Sequence, residues 1–302
     1  MSANQPSPIS GALLGALTIL CWSGYNVAAK AGIDAGLSPA ALSFLRYLTP
    51  TLFAVPAYIW LRRRTGSERP PLIRLLALAI LGGPFFGLIA VAGYQYAPLS
   101  HGLLIAPVAV FLTGMAWGAI LLKEKITAPR VFGATVMFGG LVLLVGIESD
   151  GGGGEWLLGA ALFVAAGFMW GAYTALLRHW RIPVLEGAVA VALISAVFAA
   201  AAIGPWAIAS LASAEPRMVA IQIATQGLLG GVLSVVALIA ALRTLKAQTA
   251  AMLPTFTPAV AMLIAWPALG AQPTLAEIVG AVIIFVGFAL AACPKLALPR
   301  FV

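Results

Sequence analysis

The chain has 302 residues, of which 62% are hydrophobic and only 9% charged, with a formal net charge of +8. A mean hydropathy of +1.04 is more than a soluble core of this length needs, so the long apolar runs must face lipid or one another, and a water-soluble enzyme is excluded. An unsatisfied backbone amide is costly in hydrocarbon, so apolar runs of about 20 residues are read as helices; the runs are continuous rather than alternating, which excludes a β-barrel.

Ten such runs succeed one another along the chain. The first five are Ile9 to Ala31, Pro39 to Leu61, Leu75 to Tyr96, Leu99 to Leu122 and Val131 to Ile147. The first has no Lys or Arg before it, is too long for the apolar core of a signal peptide and is matched by the sixth, so it is read as retained. A polar linker at 148–155 comes next, built on the glycine turn Gly151 to Gly154 and flanked by Glu148, Asp150 and Glu155. The last five runs are Trp156 to Leu177, Leu185 to Ser210, Ala220 to Leu242, Ala247 to Leu269 and Leu275 to Cys293.

The half of the chain after the linker repeats the half before it. Gly11, Trp22, Tyr25 and Lys30 recur as Gly159, Trp170, Tyr173 and Arg178, an offset of 148; Pro107, Met115, Thr127, Gly133 and Gly140 recur as Pro254, Met262, Thr274, Gly280 and Gly287, an offset of 147. A period this long is not a solenoid repeat, whose units run to roughly 20–50 residues. The expected fold is an all-α polytopic membrane protein of ten transmembrane helices: one repeat at 9–147, the linker at 148–155, and a second repeat at 156–293. Because five is odd, the second half enters the membrane from the opposite face. Inverted repeats of this kind are characteristic of secondary transporters, whose substrate sites lie near the midplane between the halves.

Orientation comes from the basic residues. Arg62, Arg63, Arg64, Arg69 and Arg74 follow the second run, Lys123, Lys125 and Arg130 the fourth, Arg178 and Arg181 the sixth, Arg243 and Lys246 the eighth, and Lys295 and Arg300 the tenth. All fall on one side of a ten-span chain, which the positive-inside rule makes cytoplasmic, with both termini inside. Asp34, Glu148, Asp150, Glu155, Glu215 and Glu277 fall on the other. The net charge is thus accounted for by topology, and no nucleic-acid partner is expected.

Several of these residues also form a family pattern. Trp22-Ser23-Gly24-Tyr25 with Lys30, Pro39 and Arg46, Ala106-Pro107, the turn Lys123-Glu124-Lys125-Ile126-Thr127 with Gly133 after it, and Trp170-x-x-Tyr173 resemble EamA-type members of the drug/metabolite transporter superfamily over nearly the whole chain. Within it the chain is most similar to the YddG-type exporters of aromatic amino acids and amphipathic toxic compounds such as methyl viologen. That resemblance implies a multi-pass protein of the bacterial inner membrane. It also implies substrates that are aromatic or amphipathic amino acids, or drug-like cations. The second half departs from the pattern at Ala271, where a counterpart of Glu124 is expected.

The nine acidic residues all lie in loops or at helix ends. A proton-coupled carrier usually buries a titratable carboxylate within its spans, so transport down the substrate's own gradient, or coupling through some other group, is expected. Trp22 and Trp170 lie on either side of the middle of their helices. They either pack between helices or receive an aromatic or cationic ligand by stacking and cation–π contact. Phe85 and Phe86 adjoin Gly82-Gly83-Pro84, which permits a bend in the third helix. Tyr25, Asn26, Tyr173 and Ser234 offer hydrogen-bonding groups and compete with helix packing for that role. These eight are the candidate substrate residues. Arg46, about 10 Å deep at ~1.5 Å per residue, is assigned a structural or gating role, although its planar fork also suits a carboxylate. Pro107 and Pro254 are mirrored helix breaks and candidate gates. His101 and His179 fall on opposite sides, so no metal is expected, nor any cofactor. Without an H-E-x-x-H or a P-loop lysine, enzyme chemistry is not expected either. A carrier of nucleotide sugars or other amino acids stays open as an alternative, and behind it a channel or a membrane-embedded enzyme.

Overall fold

A computed structural model describes residues 8–65, 70–148, 154–242, 244–245 and 253–292. The described chain is helical throughout, with no strand among the described residues. In order, the helices of the first half are α1 (Pro8–Asp34), α2 (Pro39–Leu48), α3 (Thr51–Thr65), α4 (Leu72–Gly82), α5 (Pro84–Tyr96), α6 (Leu99–Leu122) and α7 (Ala128–Glu148). The second half has α8 (Glu155–His179), α9 (Val184–Phe198), a π turn (Ala199–Ile203), α10 (Gly204–Ala212), α11 (Pro216–Gln222), a π segment (Ile223–Leu233) and α12 (Ser234–Leu242). It ends with a 3-10 turn (Leu253–Phe256), α13 (Thr257–Leu269) and α14 (Leu275–Ala292). Seven helical stretches are long and apolar enough to cross a bilayer, and shorter apolar helices cover 128–144 and 253–269. The protein is therefore a multi-pass membrane protein. Its outward surface is apolar to match, with Leu52, Trp206, Leu263 and Leu275 exposed. Gly151 to Gly153 of the linker and Cys293 lie outside the described residues.

The second apolar run is not one helix. Pro50 has no N–H to continue the ladder, so α2 stops at Leu48 and α3 restarts on the Pro50 carbonyl, which accepts from Phe53 at 3.0 Å and Ala54 at 2.9 Å. The third run breaks at Gly83, where a Cβ would lie 2.0 Å from the Ala79 carbonyl and 2.6 Å from Ser195 Oγ, so only glycine fits. In the second half the breaks take another form. A π turn precedes Pro205, which again lacks the ladder donor, and the π segment spans Gly227, Gly230 and Gly231.

Packing is the same when the halves are exchanged. Helix α6 lies on α8 as α13 lies on α1, α5 lies on α8 as α12 lies on α1, and α7 packs on α14. At this last seam a Cβ on Gly133 would be 2.5 Å from the Gly287 carbonyl, and one on Gly140 3.0 Å from the Gly280 carbonyl. The contacts ascend on one helix as they descend on the other, so α7 and α14 run antiparallel. Since residue 133 corresponds to 280 and 140 to 287, each crossing is the image of the other. The two-fold relation between the halves therefore lies across these helix axes, not along them. Helices of both halves also share one core, where Val27, Leu42, Val91, Leu103, Phe163 and Ala261 are buried together.

Candidate functional site

The repeat places two tyrosines against two glycine pairs. A Cβ on Gly82 would meet the Tyr173 ring at 2.9 Å, and one on Gly230 would meet the Tyr25 ring at 3.1 Å. Gly82 and Gly230 correspond at the offset of 148, as do Tyr25 and Tyr173. Each tyrosine thus packs across the boundary between halves, onto the irregular stretch at Gly82 or Gly230 of the opposite half.

Around Tyr173 the neighbours are rings. Trp170 stacks on Tyr173 and on Phe86, both at 5.0 Å between centroids. Tyr47 joins this group: its hydroxyl donates to the Gly82 carbonyl at 3.0 Å, and its ring fills the space beside Gly87. Around Tyr25 the main neighbour is a charge. The Arg46 guanidinium carbon sits 4.2 Å from the Tyr25 ring centroid, with Tyr47 next to it. Asn26 is held at both ends, its amide donating to the Trp22 carbonyl at 2.8 Å and its carbonyl accepting from Tyr94 at 3.0 Å.

The sequence-derived candidates separate in this geometry. Tyr25, Asn26, Phe86, Trp170, Tyr173 and Arg46 are brought together across the two halves. Trp22 is half-buried and joins through its backbone carbonyl. Phe85 turns away to meet Phe198 edge-on at 5.8 Å. Ser234 is wholly buried, and its hydroxyl donates to the Gly230 carbonyl at 2.7 Å within its own crossing. Pro107 lies inside α6, and Pro254 in the 3-10 turn before α13. Tyr47 and Tyr94 are added by the structure. Their counterparts at the offset of 148 are Ser195 and Leu242, so a search for repeated residues passes over them. Among the described residues no three metal-ligating side chains are grouped.

The two ends of the bundle differ. At one, Lys123 ends α6 in the left-handed conformation, at φ 56°, that its counterpart Gly270 adopts in the second half at φ 67°. The turn closes through the Glu124 N–H, which donates to the Gly118 carbonyl at 3.1 Å. It sets the Glu124 carboxylate between Arg178 at the end of α8 and Arg130 of α7, the latter at 3.5 Å. At the opposite end, Ala271 replaces the acid and Lys30 pairs instead with Asp34 of its own helix. There a cavity of about 410 Å³ is open, lined by Lys30, Asp34, Tyr94, Gln95, Tyr96 and Ala271 among others. Glu277, at the position of Arg130, serves a capping box: its carboxylate accepts from the Thr274 N–H at 2.7 Å and its own N–H donates to Thr274 Oγ1 at 3.2 Å.

The hydrogen bond from Arg178, ahead of the charges of Arg178 and Arg130, holds the Glu124 carboxyl below its ordinary value of 4.5. A depressed carboxyl stabilises the fold above its unfolded-state pKa, and that contribution is lost as pH falls through the folded one. The difference in unfolding midpoint between wild type and Glu124→Gln is therefore expected to stay constant from about pH 8 to 5 and to shrink below about 4.5. With Glu124 about a third exposed, the difference stays near the ~1 kcal/mol ceiling of a solvent-screened pair. A difference that shrinks near neutral pH contradicts the assignment.

Two like helical halves, apolar skin, and a polar and aromatic cluster between the halves define a membrane transporter. The EamA-like transporter family matches the chain twice, at residues 9–146 and 157–293. The chain belongs to the EamA-like transporter family. No curated protein matches it. A crystal structure described only as that of a protein is similar in fold, with a TM-score of 0.62 and 21% sequence identity over 93% of this chain and 96% of that one.

Proposed function

We propose that the protein carries aromatic or amphipathic small metabolites, aromatic amino acids foremost, across the bacterial inner membrane by alternating access, in the manner of the YddG-type exporters. Ten spans in two inverted sets of five, with both termini cytoplasmic, are the topology this requires; α2 with α3, and α4 with α5, each count as one span broken at its middle. The single observation that carries the substrate reading is the Phe86–Trp170–Tyr173 stack. It joins through Gly82 and Tyr47 to Arg46 and Tyr25, so one aromatic cluster is assembled from both halves. A site shared between halves changes shape when they rock against each other, as alternating access demands.

In this reading the Glu124–Arg178 end is cytoplasmic and closed, and the Lys30–Ala271 end faces outward and open. Acidic side chains stay at the edges of the spans, so the substrate's own gradient drives movement. The test is exchange in proteoliposomes loaded with unlabelled compound. Labelled phenylalanine is expected to accumulate when phenylalanine, tyrosine or tryptophan is inside, and not when alanine or a nucleotide sugar is. Accumulation driven equally by alanine contradicts the aromatic site.

A further inference from the structure

The part of the cluster around Tyr25 carries a full positive charge with no negative charge to match it among the described residues. The ion pairs among those residues engage Lys30, Arg130 and Arg178, all near the ends of the bundle. On the sequence-derived topology Arg46 lies about 10 Å inside its span; among the described residues its polar neighbours are the Tyr25 ring, 4.2 Å from the guanidinium carbon, and the hydrogen-bonding phenols of Tyr25 and Tyr47. Its helix is backed closely by the other half: a Cβ on Gly231 would lie 3.2 Å from the Arg46 carbonyl and 2.3 Å from Pro50. A cation held at such depth is costly unless it meets a counter-charge or lines a cavity. Dipoles and π faces supply only part of what a carboxylate supplies.

Comparison of the halves shows where the missing charge belongs. At the offset of 148, Arg46 corresponds to Ile194, and Phe86 to Ser234. The surroundings of Tyr173 are therefore filled with the rings of Trp170 and Phe86. Those of Tyr25 hold a guanidinium and a small serine already satisfied by Gly230. One cluster thus has an aromatic end and a cationic end. Tyr47 spans them, lying beside Arg46 while its hydroxyl donates to the glycine on which Tyr173 packs.

We propose that Arg46, flanked by Tyr25 and Tyr47, receives the carboxylate of the transported compound while Phe86, Trp170 and Tyr173 receive its ring. The substrate class is then aryl carboxylic acids, aromatic amino acids included; permanent aromatic cations such as methyl viologen, which the YddG likeness alone would admit, are rejected by the same charge. This rests on the aromatic transport reading above and narrows it. The phenols of Tyr25 and Tyr47 are hydrogen-bonding neighbours of the Arg46 guanidinium; its five N–H donors outnumber those two partners, and the fork geometry of the remainder matches the two oxygens of a carboxylate.

The experiment is direct binding to the purified full-length protein in lipid nanodiscs, read by quenching of intrinsic tryptophan fluorescence. The probes are phenylpropionate, phenylalanine, phenylalanine amide and phenethylamine. Phenylpropionate and phenylalanine are expected to bind, and the amide and the amine to bind roughly ten- to a hundredfold more weakly, the range one charged hydrogen-bonded contact supplies. Arg46→Gln should remove that preference, and Arg46→Lys should restore part of it because charge persists without the fork. If Arg46→Gln fails to fold, the four probes on wild type still decide. Phenethylamine binding as tightly as phenylpropionate overturns the carboxylate site and leaves the aromatic reading standing. Failure of all four to bind overturns both.

Discussion

Replacing Gly133 by leucine is expected to unfold much of the protein, while the same change six residues along, at Gly139, is expected to be close to neutral. A Cβ at Gly133 would stand 2.5 Å from the Gly287 carbonyl and 2.7 Å from both Ala291 Cβ and its backbone nitrogen. Two of those neighbours are backbone, so α7 and α14 must move apart. In lipid this seam is held by van der Waals contact between small residues, without a hydrophobic driving force to restore it. Overpacking a good fit costs about 1–3 kcal/mol, and backbone collision sits at or above the top of that range, a large part of the ~5–15 kcal/mol that holds a typical fold. At Gly139 an added Cβ meets nothing within 4 Å. The measurement is the unfolding midpoint of the two purified variants in detergent. Equal midpoints contradict the seam; a large loss at Gly133 alone supports it, and Gly280→Ala, with its nearest neighbour at 3.3 Å, should fall between.

Trp170→Ala is expected to lower transport of aromatic substrates, as kcat/KM, by at least about tenfold while leaving the protein folded. The ring stacks on both Phe86 and Tyr173, so its loss also loosens the two rings that remain. Aromatic pairs contribute about 0.5–1.5 kcal/mol beyond the area they bury, and a ligand ring adds a further pair; each ~1.4 kcal/mol is a factor of ten. Phe168→Ala is the control on the same helix. That ring is half exposed and its aromatic partner is Trp117 of α6, at 6.4 Å between centroids. Equal losses in the two variants would mean that α8 is merely being loosened.

Much of this architecture is legible in the amino-acid sequence. The repeated glycines 133, 140, 280 and 287 all lie in the seam where α7 and α14 touch. Tyr25 and Tyr173, matched by spacing, occupy matched places against Gly82 and Gly230. Repetition is legible because a two-fold relation forces the same contact to be built twice. The hidden part is the part that the two-fold does not repeat. Tyr47 and Tyr94 have no aromatic counterpart, and Ser234 stands where the other half has Phe86. Hydropathy also reports composition, not hydrogen-bond register, so the break at Pro50 and the π segments lie inside runs that read as continuous helices. The bend at Gly82-Gly83-Pro84 is legible because glycine and proline announce it.

Gradient-driven carriage of an aromatic substrate is tested by net uptake of labelled phenylalanine into liposomes containing the purified protein with no ion gradient imposed. Saturable uptake in wild type that is lost in Trp170→Ala is the predicted result. Uptake that begins only when a proton gradient is applied, or that persists unchanged in Trp170→Ala, contradicts it.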